Sequence, residues 1–229
     1  MSLPVFRKSA QRWSVACFLC AIAAAAAAGQ EPSEPLTTRA AVSYGIVVDN
    51  SGSLRTKLDR VVRSVVTMIE SNGPEDEAFL VTFVDTDNIH IRQELTADKA
   101  ELIDAANNMY IEGGKTAFLD ALKLSLDHLS ENARTDPGRL RRLVVITDGD
   151  DTGSKTKLAE LSALIKEKQI PVLVLAISDL QVHTKNIDRV VKESGGRKYQ
   201  PKLSNELEAA LTAITADLRS SFSQWQPRL

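Results

Sequence analysis

Gly45-Ile46-Val47-Val48-Asp49-Asn50-Ser51-Gly52-Ser53 passes from an apolar run straight into a carboxylate and two hydroxyls with Asp-x-Ser-x-Ser spacing. From Ala41 to Val48 the chain is almost continuously apolar, as expected of a strand covered on both faces of a parallel sheet. Such a strand sets Asp49 at its carboxyl tip, where an acidic group faces a loop instead of the core. Downstream, Leu54, Leu58, Val61, Val62, Val65, Val66 and Ile69 recur at helical spacing until Ser71-Asn72-Gly73-Pro74 stops them.

Strand-like and helix-like patterns keep alternating beyond that point. Ala78 to Phe83 reads as a second strand. After the turn residues Asp85-Thr86-Asp87-Asn88, the more polar Ile89 to Glu94 follows too closely for a crossover, so an antiparallel edge strand is expected. Asp98 to Met109 and Ala117 to Ser130 are helical patterns flanking Gly113-Gly114-Lys115-Thr116. Leu143 to Thr147 and Pro171 to Ile177 are buried strands with a helix from about Lys155 to Lys168 between them. A helix over Asn186 to Glu193, a turn at Gly195-Gly196, a short strand at Lys198 to Gln200 and a terminal helix from Asn205 to Ser220 complete the series. The expected fold class is a doubly wound α/β sheet, mostly parallel with one antiparallel edge strand and helices on both faces.

The first 29 residues stand apart. Arg7, Lys8 and Arg12 precede an apolar stretch from Trp13 to Ala28 that closes on Ala27-Ala28-Gly29, the anatomy of a cleaved secretory leader. The stretch is shorter than the roughly 20 residues a spanning helix needs, although an uncleaved anchor is the alternative. A secreted or periplasmic location follows, with residues 30–40 as a linker, 41–220 as the domain and 221–229 as a tail. Both cysteines, Cys17 and Cys20, lie in the leader, so the remaining chain has no disulfide or thiolate chemistry. Without the leader, the 28 basic residues fall to 25 against 30 acidic ones, a formal charge of −5 that offers no footprint for nucleic acid. Arg139, Arg141 and Arg142 read as a solvated loop before a strand, and His90, His128 and His183 as surface histidines.

In an open α/β sheet, ligands gather beyond the carboxyl ends of the strands. Asp49 and Asp148, the latter in Leu143-Val-Val-Ile-Thr-Asp148-Gly149, both stand at such ends and can meet despite their separation in sequence. Ser51, Ser53 and Thr116 add neutral hydroxyl oxygens. Two carboxylates in an all-oxygen set suit a hard cation, Mg²⁺ before Mn²⁺ or Ca²⁺, with a coordination position left open. Each residue also has a plainer reading: Asp49 or Thr116 as a helix cap, Gly113-Gly114 as an ordinary turn, Asp150 and Asp151 as caps of the next helix.

The three motifs in this order resemble the metal-ion-dependent adhesion site of von Willebrand factor type A domains. The resemblance spans about Ala41 to Ser220 and is nearest to a secreted bacterial branch first noted in acidobacteria. That branch carries strand-like sequence after the terminal helix, which Trp225 to Leu229 does not supply. The resemblance implies that Ser51, Ser53 and Thr116 bind the ion directly, Asp49 and Asp148 partly through water, and that a protein ligand completes the shell with an Asp or Glu. The expected function is therefore an exported binding module, or a scaffold subunit of an envelope complex. A Mg²⁺-dependent hydrolase fits less well. A dehalogenase-type phosphatase needs a carboxylate where Ser51 stands, and an acyl-transfer enzyme needs a base and a Gly-x-Ser-x-Gly elbow.

Overall fold

A computed structural model describes residues 39–177, 184–202 and 204–220, all within the compact unit Arg39–Leu229. The leader, His183 and the 221–229 tail lie outside the described residues. Six strands form one sheet in the order β3-β2-β1-β4-β5-β6: β1 Val42–Asp49, β2 Glu77–Phe83, β3 Ile89–Thr96, β4 Leu140–Thr147, β5 Val172–Ala176 and β6 Arg197–Tyr199. Only β3 is antiparallel, and it forms the edge beyond β2, as its polar pattern and short connection require.

Strand alternation divides the core into two layers. On one face Val42, Tyr44, Ile46 and Val48 of β1 pack under α1 (Leu58–Glu70), α2 (Lys99–Asn107) and α6 (Ser204–Arg219). On the other, Val47 of β1 joins Phe79, Val81 and Phe83 of β2 beneath α3 (Phe118–Asn132), α4 (Leu158–Lys168) and α5 (Lys185–Ser194). Every residue of β1 is buried, so its sequence shows no polar alternation. The consequence for function is positional: β1 lies between β2 and β4, and Asp49 opens onto the loops of both.

Several boundaries differ from the sequence pattern for identifiable reasons. The first helix does not start at Leu54: a 3₁₀ turn, Gly52–Leu54, closes i→i+3 bonds from Leu54 N to Ser51 O (3.1 Å) and Arg55 N to Gly52 O (3.3 Å), and α1 begins only at Leu58. Residues 155 and 156 stay outside α4 because their amides donate to the Asp120 carboxylate at 2.9 and 2.7 Å. The arginine cluster is not a solvated loop. Arg141 and Arg142 belong to β4, and Arg142 is buried, with Nη2 donating to Ser220 O at 2.8 Å and its pKa lowered by burial to about 10. His128 is half-buried rather than fully exposed, for its ring packs edge-on against Phe79 with centroids 4.7 Å apart. Arg39, the next-to-last residue of the expected linker, is already tied to Ser71 O and Asp76.

Gly45 shows how tightly the second layer is filled. A Cβ there would lie 2.3 Å from Phe79 Cζ and 2.7 Å from Leu143 Cδ2. Gly45→Ala should therefore cost about 1–3 kcal/mol, the usual penalty of overpacking. Because the closest obstacle is one ring, Phe79→Leu should recover part of that loss in the double variant, as measured by denaturant unfolding; simple additivity would show that the clash lies elsewhere.

Candidate metal centre at the carboxyl ends of the strands

The tips of β1 and β4 bring together four of the five candidate residues by hydrogen bonds. Asp49 Oδ1 accepts from its own loop, Ser51 N, at 2.9 Å, and Oδ2 accepts from Thr147 Oγ1 at 2.7 Å. Ser51 Oγ and Ser53 Oγ are 3.0 Å apart, and Ser53 Oγ donates to Asp148 Oδ1 at 2.7 Å. Lys57, at the entry to α1, approaches Asp148 Oδ2 at 3.3 Å. The Asp-x-Ser-x-Ser loop and the strand-end Asp148 thus form one continuous polar cluster.

Thr116 reaches this cluster through the third loop. A Cβ on Gly149 would stand 4.0 Å from Thr116 Oγ1, which places the hydroxyl against the Asp148 loop. The Thr116 carbonyl accepts from Thr152 N at 2.9 Å and Gly153 N at 3.1 Å, while its amide donates to Thr152 Oγ1 at 3.0 Å. Gly114 makes the approach possible: φ is +104°, and a Cβ would meet Val84 Cγ1 at 2.5 Å. Ala117, not Thr116, is the cap position of α3, and no side chain caps it, so the cap reading of Thr116 does not hold.

Neighbouring residues hold the loops in place. Thr147 supplies the bond that fixes Asp49, yet in sequence it is only the polar end of an apolar run. Asn50 donates Nδ2 to Tyr110 O at 3.1 Å and accepts Glu112 N at its carbonyl, also at 3.1 Å, tying the Gly-Gly loop to the β1 tip. Asp150 and Asp151 do cap helices, but not the next one. Asp150 accepts from the amides of Asn186 (3.0 Å) and Ile187 (3.2 Å) at the start of α5, and Asp151 from Leu119 N of α3 at 3.2 Å. Sequence proximity could not reveal those partners, because parallel crossovers place them far along the chain.

The electrostatics fit a cation. Asp49 is 1% exposed, and burial raises its pKa, opposed by the bonds from Thr147 and Ser51 and reinforced by the nearby Asp148 charge. Asn50 Oδ1, beside it in the chain, is buried without a protein partner. No group of three or more His, Cys, Asp or Glu gathers among the described residues, so a hydroxyl-rich oxygen set around two carboxylates is the donor chemistry available. Such a set suits Mg²⁺, Mn²⁺ or Ca²⁺.

A doubly wound sheet with a carboxylate and hydroxyl cluster at this edge defines a recognisable class. The sequence profile of the von Willebrand factor type A domain matches residues 45–213, and the chain belongs to that family. No curated protein matches it by sequence. Similar solved structures include a von Willebrand factor type A protein from Catenulispora acidiphila, with TM-score 0.66 and 17% identity over 79% of this chain and 43% of that one. The PilB minor pilin of Streptococcus sanguinis gives 0.64 and 15% over 84% and 64%. Proximal thread matrix protein 1 from the mussel byssus, a structure with a zinc-occupied adhesion-site motif, gives 0.59 and 15% over 77% and 46%. The chain spans less than two thirds of each of these proteins, and at such identities the likeness is one of fold.

The raised pKa of Asp49 has a stability consequence. A carboxyl that binds its proton more tightly when folded adds stability below its unfolded pKa, and that stability is lost as pH rises through the folded value. In EDTA at pH 7, Asp49→Asn should therefore melt above the wild type, and the gap should close on acidification towards about pH 4. Thermal melts across pH check this; a variant less stable than wild type at every pH would show that the bonds of Asp49 outweigh its burial.

Proposed function

We propose that this chain is an exported, non-enzymatic binding module that recognises a protein partner through a divalent cation completed by an Asp or Glu of that partner. The observation that carries the reading is the convergence of Asp49 and Asp148 with the hydroxyls of Ser51 and Ser53 in one hydrogen-bonded cluster, with Thr116 alongside. Ser51, Ser53 and Thr116 would hold the ion through hydroxyl oxygens, and Asp49 and Asp148 partly through water. When bound, the ion supplies an electrophilic position for an incoming carboxylate, because three of its five protein ligands are neutral. Mg²⁺ is the preferred ion and Mn²⁺ or Ca²⁺ are substitutes; zinc occupies the corresponding motif in the mussel protein.

The chain's own residues do the positioning. Thr147 and the Ser51 amide hold both Asp49 oxygens, so the carboxylate cannot swing away. Lys57 balances one charge of the pair at Asp148 Oδ2. Binding is favoured over catalysis because Ser51 Oγ meets another hydroxyl, Ser53 Oγ, where an acyl nucleophile needs a base. A phosphatase of the dehalogenase type would need a second carboxylate at that same position. No described helix is long and apolar enough to cross a membrane, and the export reading rests on the charged, apolar and small-residue succession of residues 1–29. A scaffold subunit of an envelope complex would use the same site with a permanent partner; within the family, the sequence most resembles the secreted branch first noted in acidobacteria.

Calorimetric titration with Mg²⁺ should show binding that is abolished in a folded Asp49→Ala variant. Thr116→Ala, which changes no charge, should weaken Mg²⁺ binding at least about tenfold, the low end of what losing even an outer-shell partner costs. Wild-type Mg²⁺ affinity in both variants would overturn the site. N-terminal sequencing of native protein should begin at or near Gln30; retention of the Trp13 to Ala28 segment would instead indicate an anchored form.

A further inference from the structure

Tyr110 is the large apolar side chain that the described residues leave exposed, at 54%. It stands beside the proposed ion site, because its carbonyl accepts from Asn50, the residue between Asp49 and Ser51. The adjoining loops touch there as well: a Cβ on Gly52 would lie 3.8 Å from Gly113 Cα. The ring is held in place rather than left loose. Arg92 Cζ lies 5.0 Å from its centroid, Arg92 Nε donates to Thr82 Oγ1 at 2.7 Å, and Arg92 Nη2 pairs with Glu112. Glu112 is in turn fixed through its amide to Asn50 O. An exposed aromatic residue, braced by a guanidinium whose charge is already satisfied, is a preorganised anchor of the kind that dominates protein interfaces.

We propose that the Tyr110 ring, braced by Arg92, is the second contact of the partner and receives an apolar side chain adjacent to the acidic residue that enters the cation shell. The inference rests on the binding function proposed above and adds to it the partner's chemistry: a polypeptide segment pairing Asp or Glu with a nearby Leu-like or aromatic residue. Charge selects a polypeptide over a nucleic acid. The guanidinium near the ring is neutralised by Glu112, so the platform offers no unpaired arginine to a phosphate backbone. The platform sets which acidic segment is accepted, while the ion sets that an acidic one is required.

The test is selection of a displayed random short-peptide library against the full chain in Mg²⁺, with elution by EDTA, run in parallel on Tyr110→Ser. Wild-type protein should enrich peptides with an acidic residue and a neighbouring apolar one; the Tyr110→Ser variant should keep the acidic preference and lose the apolar one. Synthetic peptides from the wild-type selection should bind the variant about tenfold more weakly in an NMR titration, as loss of an aromatic anchor predicts, and Tyr110→Phe should restore the affinity. Acidic enrichment without an apolar neighbour, or identical preferences in the two proteins, would overturn the platform and leave the ion-dependent function intact. Absence of any EDTA-sensitive acidic enrichment would overturn that function and the platform with it.

Discussion

A carboxylate held out of water at the carboxyl end of the central strand is the constraint on which the rest of this molecule turns. Asp49 is as buried as the apolar residues before it, and a buried charge is costly unless it is paired. The comparison with Asp76, at the opposite end of the same sheet, is instructive. Asp76 is 2% exposed, and burial alone would raise its pKa, but the Gly73 amide, Arg219 and the Val42 amide together hold it below the ordinary value. Asp49 receives one amide and neutral hydroxyls, faces Asp148, and has its pKa raised. One carboxylate is electrically finished by the protein itself; the other is not. Burial raises the pKa of both, and the difference in what offsets it separates the two carboxylates.

Three further carboxylates are held by the backbone rather than by cationic side chains. Asp120, Asp150 and Asp151 are answered chiefly by backbone amides: Asp120 by Lys155 and Thr156, Asp150 by the first turn of α5, Asp151 by that of α3. Helix amino termini carry partial positive charge and suit carboxylates. The result is three segments locked to the scaffold through their carboxylates. Lys57 is the ammonium the structure places on the pair, and it touches Asp148 rather than Asp49.

Much of this was legible in the sequence because the parallel sheet leaves strong marks. A strand covered on both faces must be apolar throughout, so β1, β4 and β5 announce themselves, and the polar β3 after a short turn reads as an edge. Asp49, Ser51, Ser53, Thr116 and Asp148 were nameable because each sits at a strand tip or in a glycine-marked turn. What could not be read were pairings between distant segments. The partners of Asp150 and Asp151 lie in α5 and α3, and Thr147 acts only because β4 neighbours β1. Arg142 and His128 misled for the complementary reason: long or ring-shaped polar side chains can be buried by a neighbour, here by α6 and by Phe79, that local pattern does not reveal.

Stability and function are set against each other at one atom group and kept apart everywhere else. The two apolar layers on either face of the sheet are packed through strand alternation and six helices. Asp49 carries the electrostatic cost of a buried carboxylate whose pKa is raised. A domain free to optimise its fold would replace it with a neutral residue, as many stabilising substitutions at functional sites do. Its presence, with both oxygens fixed by Ser51 and Thr147 so that the charge cannot relax into solvent, is what the proposed binding function would require: a cation entering there would meet a carboxylate already held in place.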